Sequence, residues 1–457
     1  MRGWRGMMSD QDRIERRSFL KDLAGGAAAA AAWQGAPAIL ARPNPNDIIG
    51  VANIGVGTQG HRLLQSAQAV DKTEIRVVSD LYDGNIARAK SLCTNPKLRI
   101  VKEWEKAVAD PDVDAVIIAV PDFMHAPITV AAAEAKKDIY VEKAWCTTIE
   151  AAKKMRQAVK GNQIVMQLGH HFNSLPYFHK AREIFRSGKL GPVPLVRSYI
   201  DRTNSFPEWR FYTDYEITKV PSDASEKTID WQRFQAQAPS KRSFDPLRFF
   251  NWRCYWDYGT GIAGDLLSHI WDSINFVMDL GIPESAVTQG GLYYWKDGRE
   301  VPDMWHVLFD YPKQNLAITF GCSFHSKHVD EVTQILGRDQ TLEVASGFCR
   351  TFGGEWKPEY EQKMEKTRDL AADVWKLARE KKVTPPLTVA PPDYVYREGE
   401  LRVTSHMENF LECVRTRELP RCHVDRAFQE AVAVVMSVEA FRQERKVRWD
   451  PVKEEIV

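Results

Sequence analysis

The sequence predicts an α/β protein with a doubly wound parallel sheet in its N-terminal part and a largely antiparallel sheet in its C-terminal part. From residue 48 to about 165, short apolar β-rich segments alternate with helical segments, which is the pattern of a doubly wound parallel sheet. After residue 286, β-rich segments such as VTQGGLYYW and DMWHVLFDY follow one another directly, as in an antiparallel sheet. A glycine-rich turn after the first apolar segment supports the first of these two assignments.

Length and charge narrow the class of protein. The chain has 457 residues, which is enough for two domains or for one large domain with insertions. The formal net charge is +1 and no basic tail or stripe is present, which argues against nucleic acid as a partner.

The stretch DIIGVANIGVGTQG opens the first βα unit. Its apolar residues suit a buried parallel strand, and Gly55, Gly57 and Gly60 follow with the spacing G-x-G-x-x-G. In a dinucleotide site, Gly55 would make the tight turn, Gly57 would let the backbone approach a pyrophosphate, and Gly60 would let helix and strand pack closely. Thr58 and Gln59, which lie between these glycines, belong to the same predicted cofactor site. The alternative is an ordinary glycine-rich turn, because such spacings also recur by chance.

A carboxylate ends the second predicted strand, EIRVVSD. Asp80 lies about 20 residues beyond the last glycine, where an acid hydrogen-bonds the adenosine ribose of a dinucleotide. A carboxylate there would repel a 2′-phosphate, and the next residues, Leu81, Tyr82 and Asp83, include no arginine. The prediction is therefore NAD rather than NADP.

The first 41 residues have the features of an export signal. The stretch ERRSFLK contains the twin arginines Arg16 and Arg17, and an alanine-rich, weakly apolar segment with small residues follows it. We expect export of the folded protein by the twin-arginine route to the periplasm or the outside, with no stable membrane span after the signal is removed. The alternative is an alanine-rich membrane anchor. An exported dinucleotide enzyme should hold its cofactor tightly, because free NAD is not expected outside the cytoplasm.

These features divide the chain into four parts. We expect the signal at 1–41, an NAD-binding domain at 42–168, and a substrate and oligomerisation domain at 169–400 with an aromatic-rich insertion at 200–258. Helices and a tail should follow at 401–457. The seven cysteines form no C-x-x-C pair, which leaves any disulfide unassigned, and no metal cluster is visible.

Four sequence blocks, in order, resemble the Gfo/Idh/MocA family, which includes glucose–fructose oxidoreductase and inositol dehydrogenase. The blocks are GVGTQG with its acid Asp80, VPDFMH at 120–125, VEKA at 141–144 and GDLLSH at 264–269, and the resemblance runs from about 48 to 450. It implies a Rossmann domain, an open-faced α/β domain whose sheet often forms the oligomer interface, and a twin-arginine exported branch. The second and third blocks imply that Pro121, His125, Glu142 and Lys143 lie at the cofactor, with a place near the substrate or in the core as the alternatives for His125. Ala144 stands where the family has proline.

The residue types of the last two blocks suit hydride transfer. Asp265 and His269 have an i, i+4 spacing, which places them on one face of a helix. His269 could take a hydroxyl proton, Asp265 could orient and charge-stabilise its imidazole, and Lys143 could polarise the substrate oxygen. In isolation such a pair is more often a surface or capping feature.

Candidate substrate contacts are His170, His171, Asp265 and Trp256. The two histidines follow a strand where the family often has substrate contacts, and aromatic faces suit the apolar side of a sugar ring. The alternative for the aromatic residues of the insertion is packing against the core. These residues are Trp209, Tyr212, Tyr215, Trp231, Trp252, Tyr255, Trp256 and Tyr258.

The main hypothesis is an exported NAD-dependent oxidoreductase that acts on a sugar or glycoside hydroxyl. A second hypothesis is a redox-neutral glycosidase that oxidises, eliminates, adds water and reduces; some family members work this way, but the Y-x-T-H-G stretch of one such branch is missing here. A third is a non-catalytic sugar sensor that keeps the nucleotide fold. The presence of Lys143, Asp265 and His269 together argues against the sensor.

Overall fold

The computed structural model describes residues 48–203, 206–210, 220–326, 331–353 and 392–457, all of them in the compact unit Pro45–Val457. The predicted export signal at 1–41 lies outside these residues, and so do parts of the predicted insertion and substrate domain. Tyr212 and Tyr215 are among the insertion residues that are not described.

The N-terminal domain contains the predicted parallel sheet. Its six strands have the order β3-β2-β1-β4-β5-β6, and every neighbouring pair is parallel. β1 and β4 are buried along their whole length, which explains their continuous apolar sequences. The strands are β1 Ile49–Ile54, β2 Thr73–Ser79, β3 Arg99–Val101, β4 Ala115–Ile118, β5 Asp138–Val141 and β6 Met166–Leu168.

Five helices connect these strands. The α4 helix begins at Asp122, earlier than the apolar segment APITVAAAEAKK suggests, and contains Pro127. The α5 helix begins where the Thr148 hydroxyl accepts a hydrogen bond from the Ala151 amide, which is a regular N-cap. The helices are α1 Thr58–Gln68, α2 Asp83–Leu92, α3 Trp104–Ala109, α4 Asp122–Glu134 and α5 Ile149–Asn162.

The C-terminal domain is built on a ten-stranded mixed sheet with the order β14-β13-β12-β11-β7-β10-β9-β8-β15-β16. The expected antiparallel pairing holds for β8, β9 and β10 and for β11, β12 and β13. The strands are β7 Leu195–Asp201, β8 Ser285–Gly291, β9 Met304–Tyr311, β10 Leu316–Ser323, β11 Glu331–Leu336, β12 Gln340–Ala345, β13 Phe348–Gly353, β14 Tyr394–Val395, β15 Val447–Asp450 and β16 Glu455–Ile456.

One strand of this sheet was not expected from the sequence. β7 precedes the insertion, yet it lies at the centre of the sheet, where it pairs parallel with β10 and antiparallel with β11. Its partners are more than a hundred residues further along the chain. The sequence LVRSYID carries an arginine and an acid among its apolar residues, so its local pattern does not reveal this central position.

The described residues from 176 onward form six further α-helices. A π-helical turn, Ala263–Leu267, leads directly into α9, so the predicted helix that carries GDLLSH is not a regular α-helix throughout. The helices are α6 Pro176–Arg186, α7 Trp231–Gln235, α8 Pro246–Phe250, α9 Ser268–Met278, α10 His406–Thr416 and α11 Val424–Arg442.

The C-terminal helices divide between the two domains. The α10 helix packs its apolar residues Met407, Phe410 and Leu411 into the core that covers one face of the parallel sheet. The α11 helix is buried in the larger core, which is continuous from the parallel sheet to the ten-stranded sheet. This continuous core holds the two sheets in a defined relation and brings the carboxyl ends of the parallel strands towards the C-terminal domain.

The first strand lies at the point where the strand order of the parallel sheet reverses. β1 pairs with β2 on one side and with β4 on the other, so the loops that follow β1 and β4 leave a crevice between them. In open α/β sheets, ligands bind in this crevice at the carboxyl ends of the strands.

Candidate active site

The turn between β1 and α1 has the geometry that the glycine spacing predicts. Gly55 has a φ of +80°, and a Cβ atom there would lie 2.4 Å from the carbonyl oxygen of Ala119. At Gly60 a Cβ atom would lie 2.0 Å from the carbonyl oxygen of Gly55, so helix and turn pack too closely for a side chain. Gly57 faces open space, because the nearest described atom to a Cβ there would be Asn85 Nδ2 at 3.9 Å. A phosphate could therefore approach the backbone of Gly57 at the start of α1.

The Asp80 carboxylate is bound by the backbone around this turn. Its Oδ2 atom accepts a hydrogen bond from the Val56 amide at 2.7 Å, and its Oδ1 atom accepts one from the Tyr82 amide at 2.9 Å. Asn85 Nδ2 lies 3.3 Å from both oxygens. Burial raises the pKa of Asp80 above its ordinary value, although these hydrogen bonds oppose the shift. Asp80 thus connects the end of β2 to the glycine turn.

A pocket runs from the glycine turn to the side chain of Lys143. Gln59 and Glu142 lie between these two ends, where Gln59 Nε2 donates to Glu142 Oε1 at 2.9 Å. The open backbone at Gly57, the acid at the end of β2 and the lysine at the far end fit a dinucleotide. The predicted cofactor residues that line the pocket are Gly55, Gly57, Thr58, Gln59, Asp80, Pro121, Glu142 and Lys143.

The insertion forms another wall of this pocket. It is attached to the parallel-sheet domain beside Asp80, because the Asp230 amide donates to the Leu81 carbonyl at 2.9 Å and Tyr82 Oη donates to Asp223 Oδ1 at 2.6 Å. The Phe250 ring lies edge-on to Tyr82, with ring centroids 5.1 Å apart. The insertion residues that line the pocket are Trp209, Phe234, Phe249, Phe250, Asn251, Trp252 and Arg253.

His125 does not reach this pocket, so the expectation that it contacts the cofactor needs revision. It is fully buried, with Nδ1 2.7 Å from the carbonyl oxygen of Ala144 and Nε2 2.9 Å from that of Val120. Burial lowers its pKa to about 4. His125 therefore contacts the backbone of Ala144, the residue that follows Lys143, from the buried side. The peptide bond between Lys143 and Ala144 is cis.

Lys143 and Asp265 form the central ion pair of the site. Lys143 Nζ lies 2.6 Å from Asp265 Oδ1 and 2.7 Å from the Asp265 carbonyl oxygen. Arg253 Nε lies 3.2 Å from the same Oδ1 atom, and Trp209 Nε1 donates to Oδ2 at 2.8 Å. Burial raises the pKa of Asp265, but the charges of Lys143 and Arg253 outweigh it and hold that pKa well below its ordinary value. Asp265 is therefore ionised, and both of its carboxylate oxygens have partners.

The prediction that Asp265 orients the imidazole of His269 is wrong. The partners of the Asp265 carboxylate are Lys143, Arg253 and Trp209, whereas His269 Nδ1 lies 3.3 Å from His170 Nδ1. The i, i+4 spacing assumed a regular α-helix, but Asp265 lies in the π-helical turn that precedes α9. Asp265 and His269 therefore both lie at the site, but they do not contact each other through a hydrogen bond.

His269 lies partly exposed among aromatic rings. Phe172 stacks on it at 5.1 Å between ring centroids, and His171 lies edge-on at 5.2 Å. Burial lowers the pKa of His269 well below its ordinary value, and the positive charge of Lys143 acts in the same direction. The imidazole is therefore neutral at neutral pH and can accept a proton.

Two of the expected substrate residues have other positions. His170 is fully buried behind His269, so it contacts that ring rather than a substrate, whereas the adjacent His171 is exposed. Trp256 lies outside the pocket lining: its Nε1 donates to the Glu300 carbonyl at 3.1 Å and its ring stacks on Phe441. It packs between the insertion and α11, which is the packing alternative left open by the sequence.

Sequence analysis missed three polar residues that act at this site. Arg253 binds Asp265, and Asp122, at the start of α4, is buried close to it. Burial raises the pKa of Asp122 to about 7, although the charges of Arg253 and Lys143 oppose the shift. Glu430 lies fully buried on α11, 3.6 Å from His170 Nε2. Arg253 in the insertion and Glu430 in the apolar α11 helix lie in no motif, whereas Asp122 lies within the VPDFMH block, where the sequence analysis singled out only Pro121 and His125.

The part of the chain that the structure describes has no group of three or more His, Cys, Asp or Glu side chains able to hold a metal ion. All seven cysteines lie in this part and are free thiols. None of the described helices is long and apolar enough to cross a membrane.

The parallel sheet, the glycine turn, the acid after β2 and the lysine–aspartate pair define a two-domain oxidoreductase with a nucleotide site. The chain belongs to the Gfo/Idh/MocA oxidoreductase family. Residues 49–170 match the family's NAD-binding Rossmann fold, and residues 227–449 match its C-terminal alpha/beta domain.

Two curated relatives act on sugars or polyols, as their names state. Levoglucosan dehydrogenase of Pseudarthrobacter phenanthrenivorans is 31% identical over 137 residues, which are 29% of this chain and 35% of that protein. Inositol 2-dehydrogenase of Mycolicibacterium smegmatis is 27% identical over 188 residues, which are 40% of this chain and 52% of that protein. The alignments thus span between 35% and 52% of these relatives.

A solved structure supports the fold over a longer range. Levoglucosan dehydrogenase in complex with NADH and levoglucosan superposes with a TM-score of 0.61 and covers 88% of this chain and 99% of that one. The sequence identity is 16%, so this likeness shows a shared fold.

Proposed function

We propose that this chain is an NAD-dependent oxidoreductase that transfers a hydride between a sugar or glycoside hydroxyl and nicotinamide. The observation that carries the proposal is the pocket that joins the open backbone at Gly57 to the Lys143 ammonium, with the Lys143–Asp265 pair at that end. The similarity to levoglucosan dehydrogenase and inositol 2-dehydrogenase supports a sugar or polyol as the substrate.

The polar residues at the Lys143 end have separate roles in this proposal. The nicotinamide, when bound, accepts or supplies the hydride. Lys143 donates to the substrate oxygen and stabilises the developing alkoxide, and Asp265 holds the ammonium in place. His269 takes the hydroxyl proton, because its lowered pKa keeps it neutral. His171, exposed next to His269, contacts the sugar.

The residues at the expected adenosine end of the pocket support NAD rather than NADP as the cofactor. The buried Asp80 carboxylate disfavours a 2′-phosphate, which supports NAD. Lys102 also lines this end, but its Nζ lies 2.7 Å from Asp83 Oδ1 and so is paired with an acid. We expect nucleotide-free protein to bind NAD more tightly than NADP in calorimetric titrations, and Asp80→Ala to reduce the difference. Equal affinities in the unsubstituted protein would refute this assignment.

The insertion supports a cofactor that stays bound between turnovers. Phe249 and Phe250 line the pocket on the side of Tyr82, and the attachment of Asp230 to Leu81 holds them there. Phe250→Ala should therefore speed the loss of bound NAD during dialysis. Phe244→Ala is a matched control, because Phe244 packs on Trp231 and does not line the pocket. Equal loss of nucleotide from both variants would contradict a retaining role for this wall.

One experiment tests the main proposal. The purified protein is incubated with levoglucosan, inositol and a panel of glycosides, and the nucleotide is then released by denaturation and its redox state is measured. Conversion of bound NAD to NADH by one of these compounds is the expected result, and His269→Asn should keep the nucleotide and lose the conversion. Failure to bind any nucleotide would refute the proposal. Bound NAD that no sugar reduces, with tight sugar binding, would favour a sensor.

A second candidate function, a redox-neutral glycosidase, is favoured by Asp122. Oxidation of a ring hydroxyl acidifies the adjacent C–H bond, and elimination of the aglycone then needs a second proton-transferring group besides His269. Asp122 is buried where the charges of Arg253 and Lys143 act on it, and burial raises its pKa to about 7, so its carboxyl group can exchange a proton near neutral pH. This candidate predicts release of p-nitrophenol from a p-nitrophenyl glycoside without accumulation of NADH. In Asp122→Asn, hydrolysis should stop while oxidation of the sugar continues.

We further propose export by the twin-arginine route, on the basis of the stretch ERRSFLK. In cells that express the full chain, the protein should fractionate with the periplasm or the medium. Replacement of Arg16 and Arg17 by lysine should keep it in the cytoplasm. An unchanged distribution would contradict this route.

The open face of the ten-stranded sheet supports a homo-oligomer. Val287 and Leu308 form a directly opposed pair on β8 and β9, and their relative exposures are 42% and 43%. We expect the double variant Val287→Lys, Leu308→Glu to reduce the mass measured by light scattering to that of the monomer. An unchanged mass would exclude this face as the interface.

A further inference from the structure

The side chains of His269, His170 and Glu430 form a row that runs from the proposed base into the core. His269 Nδ1 lies 3.3 Å from His170 Nδ1, and His170 Nε2 lies 3.6 Å from Glu430 Oε1. The side chains of His170 and Glu430 are completely buried. Among the described residues, neither oxygen of Glu430 nor His170 Nε2 has a hydrogen-bond partner, so these two side chains face each other in the core at an ion-pair distance rather than in a hydrogen bond.

The hydrogen-bonding capacity of these groups determines where the protons lie. A carboxylate only accepts, so a favourable contact with Glu430 places the proton of the His170 ring on Nε2. A neutral imidazole has one N–H, which leaves His170 Nδ1 as an acceptor. The proton between the two rings then belongs to His269 Nδ1. His269 Nε2 is left with its lone pair free, which is the atom a general base uses.

We propose that His170 and Glu430 are positioning residues that select the Nδ1–H tautomer of His269 and stabilise the imidazolium that forms when His269 Nε2 takes a proton. This inference rests on the proposed function, in which His269 is the base. The hydroxyl proton moves to His269 Nε2, and His269 Nδ1–H keeps its hydrogen bond to His170. Glu430 supplies a negative charge on the side of His170 away from the substrate. It thereby has the role that the i, i+4 spacing suggested for Asp265.

The charges around His269 explain why such a carboxylate is needed. Lys143 and Arg202 both disfavour a positive imidazole, and the Asp265 carboxylate is already bound to Lys143, Arg253 and Trp209. Other titratable and charged groups also face these three side chains. His269 is faced by Lys143, Arg202 and His171, and His170 is faced by Glu142, His171 and His406. Glu430 is faced by Cys146 and Cys422.

Histidine NMR tests the inference without a substrate. Protein labelled with ¹⁵N-histidine is compared with Glu430→Gln, with the His269 signal assigned by its loss in His269→Asn. The expected result is a pure Nδ1–H tautomer in the unsubstituted protein. In Glu430→Gln we expect admixture of the Nε2–H tautomer and titration of His269 at lower pH, because the carboxamide can donate to His170 and its charge is gone. Glu430→Asp, which keeps the charge, should restore the Nδ1–H tautomer at least in part.

Asp272→Asn is the matched control. Asp272 is a fully buried carboxylate on the same helix as His269, but its partners are Asn173, Arg426 and the Cys422 thiol. The His269 tautomer should not change in this variant. An unchanged His269 signal in Glu430→Gln, or an equal change in Asp272→Asn, would overturn the inference. If Glu430→Gln does not fold, His170→Phe keeps an aromatic ring but removes the acceptor nitrogen, and it should likewise abolish the preference of His269 for Nδ1–H. Retention of that preference would refute the inference.

Kinetics supply a second readout. With a sugar that reduces the bound nucleotide, Glu430→Gln should lower kcat by about 10²-fold, the lower end of a general base contribution, with KM little changed. The acid limb of its pH profile should move to lower pH. If no sugar reduces the nucleotide in the unsubstituted protein, the proposed function fails, while the NMR comparison still decides whether Glu430 controls the tautomer.

Discussion

Gly57 offers a test of the nucleotide site that separates binding from folding. Its backbone has φ −69° and ψ −163°, which alanine adopts without strain, and it precedes α1 as the N-cap residue. An added Cβ atom would meet only Asn85 Nδ2, at 3.9 Å. Gly57→Ala should therefore fold normally while placing a methyl group in the space where we expect the phosphates.

The expected magnitudes follow from this geometry. In the nucleotide-free protein, the loss of a glycine N-cap and the lower entropy of the unfolded chain nearly cancel, so the free energy of unfolding should change by less than about 1 kcal/mol. In the complex, the methyl group competes with the nucleotide. Overpacking of this kind costs about 1–3 kcal/mol. That cost raises the Kd for NAD by about 5- to 140-fold.

The assay is calorimetric titration of NAD into nucleotide-free protein, combined with urea denaturation. Gly161→Ala is the control, because a Cβ atom there meets nothing within 4 Å and the residue lies at the end of α5. Gly60→Ala should both lower the free energy of unfolding and weaken NAD binding, since its Cβ would lie 2.0 Å from the Gly55 carbonyl oxygen. An unchanged Kd for Gly57→Ala would show that the phosphates do not pass over Gly57 and would refute the reasoning.

Three further outcomes follow from the site. Asp265→Asn leaves the Lys143 ammonium without its counter-charge and should lower the free energy of unfolding by about 3 kcal/mol in urea denaturation. Because the pKa of Asp265 is held well below its ordinary value, that loss should persist as the pH falls and narrow only below about pH 4. Burial raises the pKa of Asp122 to about 7, so between pH 4 and pH 7 the folded protein keeps a proton on Asp122 that the unfolded chain has lost, and its free energy of unfolding should fall as the pH rises from about 4 to 7. Asp122→Asn should flatten this fall in denaturation curves measured across the same pH range. An unchanged slope would contradict the raised pKa. Trp252→Ala should weaken NAD binding because Trp252 lines the pocket, whereas Trp256→Ala should not, and equal effects in titrations would contradict the placement of Trp256.

Local features determined much of the nucleotide-binding half. The alternation of apolar strands with helices is read over ten to fifteen residues and predicted the parallel sheet, and the spacing of Gly55, Gly57 and Gly60 predicted a turn that the structure contains. These predictions hold because backbone conformation and close packing at a glycine depend on a few adjacent residues. The third and fourth family blocks, VEKA and GDLLSH, likewise contain Lys143, Asp265 and His269.

Only the tertiary structure decided which of these residues touch each other. Lys143 reaches Asp265 across 122 residues of sequence, and His170 reaches His269 across 99. The π-helical turn directed Asp265 towards Lys143, and the burial of α11 brought Glu430 next to His170. Such contacts depend on how whole elements pack, and a periodic pattern along one element carries no information about the partner element. For the same physical reason, the local sequence of β7 does not predict its central position in the sheet.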